Sequence, residues 1–205
     1  MEGDKETTLA ITQQLTLERS IMTESSTLNI KAGKYTIDKV HSSVSFVIRH
    51  MVAAKVRGRF NDFDGTLDIA ETLEDSKVDV NIVADSVDTG NEQRDGHLKS
   101  ADFFEAESNK VITFVSTKLE ISGGNEGKLF GDLTIRGNTL PVVLDVEYLG
   151  TEKNPYGKTV LGFSATTEIN REDFGVSWNT VLETGGLMVG KTVKIEIDVE
   201  AQLEE

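Results

Sequence analysis

The amino-acid sequence predicts an all-β protein in which at least eight antiparallel strands close, or nearly close, into a barrel. Three observations predict it. Apolar residues recur at every second position from Tyr35 onward, the pattern of strands with one dry and one wet face. The residues between them are mostly polar or charged, as Lys194, Glu196 and Asp198 show, and sheets wet along one side are antiparallel far more often than parallel. The 205 residues also hold 18 glycines against 2 prolines, which suits a chain of tight turns.

Residues 1–33 come first and read differently. They are rich in Thr, Ser and Gln with scattered Leu and Ile, so a flexible or loosely docked extension is expected ahead of a barrel domain at 34–205. This stretch has no basic start followed by an unbroken apolar run, and no segment of the chain approaches the ~20 apolar residues of a membrane span. A cytoplasmic location and no membrane span are therefore expected.

The strands follow as alternating sets. They are Val44, Phe46 and Ile48; Leu67 and Ile69; Val78, Val80, Ile82 and Ala84; Ile112 and Phe114; Leu129, Leu133 and Ile135; Val142, Leu144, Val146 and Tyr148; Leu161, Phe163, Ala165, Thr167 and Ile169; and Val193, Ile195, Ile197, Val199 and Ala201. Asp64-Gly65, Gly123 to Gly127, Gly137-Asn138 and Asn154-Pro155-Tyr156-Gly157 supply hairpin chemistry between them. A single apolar face on eight meandering strands is hidden by closure, which also removes exposed edges. Two longer connections interrupt the pattern. The first predicts a short helical insertion near 90–105, around Asn91 to Leu98; the second a short helix near 171–175 and a glycine-rich loop at Gly185-Gly186.

Charge and composition exclude whole classes of function. Thirty-five acidic against 21 basic side chains give a formal net charge of −14, which repels nucleic acid. The absence of cysteine removes disulfides, thiolate metal sites and a cysteine nucleophile. Only His41, His50 and His97 are available as imidazole ligands, and they are scattered, so no metal and no cofactor are expected.

About eight strands give an interior that either fills with side chains or holds one small ligand. The inward residues are aliphatic, with Gly131 and Gly162 interrupting strands, so space is expected along the axis. A solid core is the competing reading. If the space exists, Val44, Phe46, Ile48, Val80, Ile82, Phe114, Leu133, Val146, Phe163 and Ile195 line an apolar tunnel suited to a long hydrocarbon chain. The densest polar cluster is Arg94-Asp95-Gly96-His97, in which Arg94 and His97 hold a polar head group at the mouth and Asp95 orients one of them. Its competing reading is an ion pair with helix caps that pins the insertion to the rim. Phe103-Phe104 and the run from Phe174 to Trp178 either cover the barrel ends or line an entrance.

Four ordered motifs then resemble a known family. They are Tyr35-Thr36-Ile37-Asp38 with His41-Ser42, Val44, Phe46 and His50; Arg94-Asp95-Gly96-His97-Leu98-Lys99-Ser100 with Asp102-Phe103-Phe104 and Ile112-Thr113-Phe114; Gly131 to Gly137 with Thr139, Pro141 and Val142; and Ile169-Asn170-Arg171 with Asp173-Phe174-Gly175. Over about Tyr35 to Val199 they resemble the YceI-like, lipocalin-type polyisoprenoid-binding proteins. Tyr35 stands where relatives often carry Trp, and, unlike in many relatives, no export segment is expected. The resemblance implies an extended eight-stranded lipocalin-like barrel that stores or carries a long-chain isoprenoid, of the polyprenyl phosphate or quinone type, or a fatty amphiphile. It places Arg94, Asp95, His97, Arg136 and Arg171 on family motifs as rim candidates for the head group. A homodimer is compatible with it. Two other readings stay open: an isoprenoid- or acyl-modifying enzyme that uses Arg94, Asp95 and His97, and a scaffold whose strands or N-terminal segment bind another protein.

Overall fold

A computed structural model describes residues 28, 30–51, 54–183 and 185–204. The extension expected at 1–33 therefore lies largely outside the described residues. Of its last part, Ile30 packs against the core and the first strand opens at Gly33.

Among the described residues, eleven strands form one antiparallel sheet. They are β1 (Gly33–Ile37), β2 (Ser43–His50), β3 (Ala54–Phe60), β4 (Phe63–Ile69), β5 (Lys77–Val83), β6 (Val87–Asp88), β7 (Val111–Gly123), β8 (Glu126–Ile135), β9 (Asn138–Lys153), β10 (Thr159–Asn170) and β11 (Val189–Leu203). Eight of them close a ring in the order β1-β4-β5-β7-β8-β9-β10-β11, completed where Tyr35, Thr36 and Ile37 of β1 pair with Leu203, Gln202 and Ala201 of β11. The lipocalin-like closed barrel is thus the fold. Beyond the three residues paired with β1, the same edge of β11 pairs with β2, from Val189 against His50 to Asp198 against Ser43. The β2–β3 hairpin continues the wall where β1 stops.

The strands legible as alternating sets are all present. The three that were not are β1, β3 and β6. In β3 the dry face holds only Val56, Gly58 and Phe60 among charged neighbours, and β6 is two residues long, so neither shows a period.

Turn chemistry departs from expectation at two places. Asp64-Gly65 lies inside β4, and the chain turns instead at Asn61-Asp62. Gly65 is there for close approach: a Cβ on it would fall 2.7 Å from the Asp79 carbonyl oxygen and 2.8 Å from Ile37 Cδ1. The β8–β9 hairpin turns on Arg136 and Gly137, with φ of 52° and 74°, one residue earlier than Gly137-Asn138. Positive φ at both positions is the type I′ geometry that matches strand twist.

The helical insertion is α1 (Glu92–Lys99), opened by Asn91, whose side chain accepts a hydrogen bond from the Arg94 amide at 2.9 Å. A 3-10 turn spans Arg171–Phe174 and ends on Gly175 in the left-handed region at φ 76°. Both connections lie at one end of the barrel. There Phe103 and Phe174, 7% and 2% exposed, join the core, and burial of each such ring is worth roughly 1.5–3 kcal/mol.

Candidate functional site

Cross-strand pairs carry the inward parity through the wall. Phe46 opposes Ile195 and Gly58, Phe114 opposes Val80 and Leu133, and Ala165 opposes Val146 and Ile197. Between them lies a cavity of about 290 Å3. All ten residues expected to line a tunnel line this cavity. Its remaining wall is almost wholly hydrocarbon, with Ser45, Ser76, Thr167 and Arg171 as the polar exceptions.

Tyr35, Leu161 and Ala201 are fully buried, pair across strands with cavity-lining neighbours such as Leu67 or with one another, and do not line the cavity themselves. The Tyr35 hydroxyl donates to the Lys31 carbonyl at 2.8 Å, and burial raises its pKa above the usual phenol range. At the α1 end, Leu98, Phe103, Phe104, Phe174 and Val176, side chains from two connections, line the cavity.

Of the two glycines expected to leave space, Gly131 does not: a Cβ on it would fall 2.4 Å from Phe114 Cζ, whereas one on Gly162 would meet nothing nearer than Leu149 Cβ at 3.4 Å. Gly58 is filled as Gly131 is, with Phe46 Cζ 2.3 Å from where its Cβ would stand. The hollow comes from the ring of strands and the small aliphatic side chains, with the aromatic rings folded back against glycine.

The five rim candidates separate. Arg94 is exposed and clamps Thr89, donating from Nε to the hydroxyl at 2.6 Å and from Nη2 to the carbonyl at 2.8 Å. Asp95 accepts from the Thr89 amide at 2.9 Å and from its hydroxyl, so it orients neither Arg94 nor His97. The partner of His97 is Asp102, with Nε2 and Oδ2 2.8 Å apart. The His97 ring also stands edge-on to Phe103 and Trp178, at centroid distances of 5.0 and 4.7 Å. Arg136 donates to the Gly175 carbonyl at 2.8 Å and lies 3.5 Å from Glu105. None of these four lines the cavity. They fasten the two connections to each other and to the barrel.

Arg171 is different. It is 4% exposed, buried within the cavity wall instead of standing on the rim. Its Nε donates to the Gly190 carbonyl at 2.8 Å and its Nη1 to the Val176 carbonyl, while Nη2 has no partner. Burial lowers its pKa, and neighbouring Glu172 partly opposes that.

One group that the sequence did not single out gathers three metal-capable side chains: Asp38, His41 and Glu200, with ligand atoms within 4.8 Å of one another. Asp38 is already engaged on both oxygens, by the Val40 amide at 2.9 Å, His41 Nδ1 at 3.0 Å and Gln202 Nε2 at 2.8 Å. The His41 contact holds the Asp38 carboxyl below its ordinary value and raises the imidazole above its own. The arrangement locks the β1–β2 turn onto β11.

The YceI-like domain matches residues 35–201. The chain belongs to the YceI-like family. A UPF0312 protein of Staphylococcus epidermidis is 43% identical over 173 residues, covering 83% of this chain and 98% of the relative, and one of Staphylococcus aureus is 43% identical over 176 residues. Among solved structures, the Campylobacter jejuni YceI protein is 36% identical, covers 86% of this chain and 100% of its own, and superposes with a TM-score of 0.66. A polyisoprenoid binding domain from Saccharophagus degradans, 18% identical with a TM-score of 0.60 over 85% of this chain and all of its own, shares the fold. The YceI-like barrel described above agrees with these likenesses in architecture. Among the described residues no helix is long and apolar enough to cross a membrane.

Proposed function

We propose that this YceI-like barrel binds one long-chain isoprenoid, or a similar amphiphile, without chemical conversion, and stores or carries it. The observation that carries the reading is the cavity itself: its wall is hydrocarbon on nearly every side, and side chains of the two long connections line it at the α1 end. Each methylene moved from water into such a wall is worth ~0.8 kcal/mol, so the chain alone supplies affinity. The polyisoprenoid of the Saccharophagus degradans domain is a ligand of the right shape and polarity for it.

Against catalysis stands the engagement of the polar groups. His97 is taken up by Asp102, Phe103 and Trp178, and Asp95 by Thr89, so neither meets a reacting atom in the cavity. Native mass spectrometry of gently purified protein, before and after addition of polyprenols, tests the reading. A one-to-one complex with lipid mass supports it. Protein that carries no lipid and takes up no polyprenol overturns it.

A further inference from the structure

The α1 end of the barrel carries exposed apolar side chains. Met51, just after β2, is 47% exposed, and Val181 and Leu187, which face each other across a bridge in the loop before β11, are 70% and 39% exposed. The two segments are joined: the Met51 amide donates to the Met188 carbonyl at 2.9 Å, and His50 pairs with Val189. The three side chains thus share one tip. Ile48 and Val189, which lead into Met51 and out of Leu187, line the cavity, so the tip continues the apolar wall outward.

Charge beside the tip runs against the rest of the chain, whose formal net charge is −14. Arg49 on β2, Lys55 and Arg57 on β3, and Lys191 and Lys194 on β11 are all exposed. Lys194, Val47 and Arg57 stand in one row across the three strands, and Arg49 faces Lys55 in the next row of the same face. Glu196 serves both Lys194 at 2.7 Å and Arg57 at 3.9 Å, Glu172 pairs with Lys191 at 2.8 Å, and Glu183 adds an exposed carboxylate to the loop. Arg49 and Lys55 have no carboxylate oxygen within 4.0 Å among the described residues, although like charges directly opposite each other destabilise a strand pair. An anionic group lying over both removes that cost.

We propose that this end of the barrel docks on the surface of a lipid bilayer that carries anionic headgroups. Met51, Val181 and Leu187 enter the boundary between headgroups and acyl chains, and the cations of β2, β3 and β11 stay with the phosphates. An acidic protein would match the cations as well; the cavity directly behind the tip favours the bilayer, where long hydrocarbon chains reside. Docking goes beyond the chain-binding reading and is measured without it.

The test is flotation of the intact protein with vesicles of phosphatidylcholine alone or of phosphatidylcholine and phosphatidylglycerol in equal parts. Binding to the mixed vesicles is expected to be at least about tenfold tighter at low salt, and the preference to shrink to within about threefold in ~0.5 M salt. Arg49→Gln with Lys55→Gln is expected to abolish most of that preference, and Met51→Ser with Leu187→Ser to weaken binding to both vesicles at least about fivefold. Tyr156→Ser, at the far end of β9 and 89% exposed in the wild type, is the control and is expected to change neither. Hydrogen exchange of the wild type with and without mixed vesicles gives a reading independent of any variant's folding, with protection expected at residues 49–51 and 187–191. No vesicle binding, equal binding to both vesicles at low salt, wild-type binding by the serine variant, or protection confined to other segments overturns the proposal. Polyprenol uptake by both variants in solution is expected at the wild-type level, so docking and chain binding fail separately.

Discussion

The ring of Phe114 occupies the space that a side chain at Gly131 would need, with Cζ 2.4 Å from the position of a Cβ. The Val115 carbonyl oxygen is 2.7 Å from the same point, so both a ring and a backbone group would have to move. Gly131→Ala is therefore expected to destabilise the barrel by about 1–3 kcal/mol in urea denaturation. Gly162→Ala is the control: its nearest contact would be Leu149 Cβ at 3.4 Å, and a change within about 1 kcal/mol of wild type is expected.

Filling the cavity is expected to separate binding from folding. Ile195 faces Phe46 across the β2–β11 pair and lines the hollow. Ile195→Phe is expected to weaken polyprenol binding by at least about tenfold while costing less than about 2 kcal/mol of stability, since the added atoms enter existing space. Isothermal titration and a denaturation curve on the same preparation check the two halves.

Trp178 is the single tryptophan of the chain and lies edge-on to His97. His97→Ala removes that contact, which joins α1 to the segment after Gly175, and also the contact to Phe103 and the Asp102 hydrogen bond, which hold α1 to the turn that follows it. The expected outcome is a red-shifted Trp178 emission and a loss of about 1–2 kcal/mol, with binding of isoprenoid chains retained. Unchanged emission contradicts the described packing, and isoprenoid turnover by wild type that disappears in the variant contradicts a binding role.

The turn lock at Asp38 and His41 gives a pH dependence whose sign follows from the two shifts. His41 is raised above its ordinary 6.5, so its contribution is full below that value and is lost as pH rises through the folded-state pKa. Asp38 is lowered below 3.8, so its contribution is full above that value and is lost as pH falls through the folded-state pKa. The pair therefore stabilises most between the two ordinary values. Thermal melts of wild type and His41→Ala are expected to differ most at about pH 5 and to converge toward about pH 9. Glu200, 3.9 Å from His41, broadens the upper limit.

Legibility followed local periodicity. Strands such as β10 and β11 announced themselves because Leu161 to Ile169 and Val193 to Ala201 alternate without interruption. β3 did not, because Gly58 stands where an apolar residue would mark the dry face, and its space is taken by Phe46 from another strand. The same limit applied to the site. The tunnel wall was readable because inward parity is a local property of each strand. The roles of Asp95, Asp102 and Arg171 were not, because they depend on which loop meets which: Arg171 reaches Val176 and Gly190 only after the chain has folded back at β11. A neighbour in sequence, Asp95, suggested itself as the partner of His97, and the structure supplies Asp102 from the turn after α1 instead.

The account turns on whether the apolar hollow takes in a hydrocarbon chain. A crystal structure of the protein grown with a polyprenol measures that directly. The account predicts one continuous, elongated density inside the barrel, in contact with Phe46, Phe114 and Ile195. Side chains collapsed to fill that space, or lipid seated only on the outer face of the strands, would contradict it.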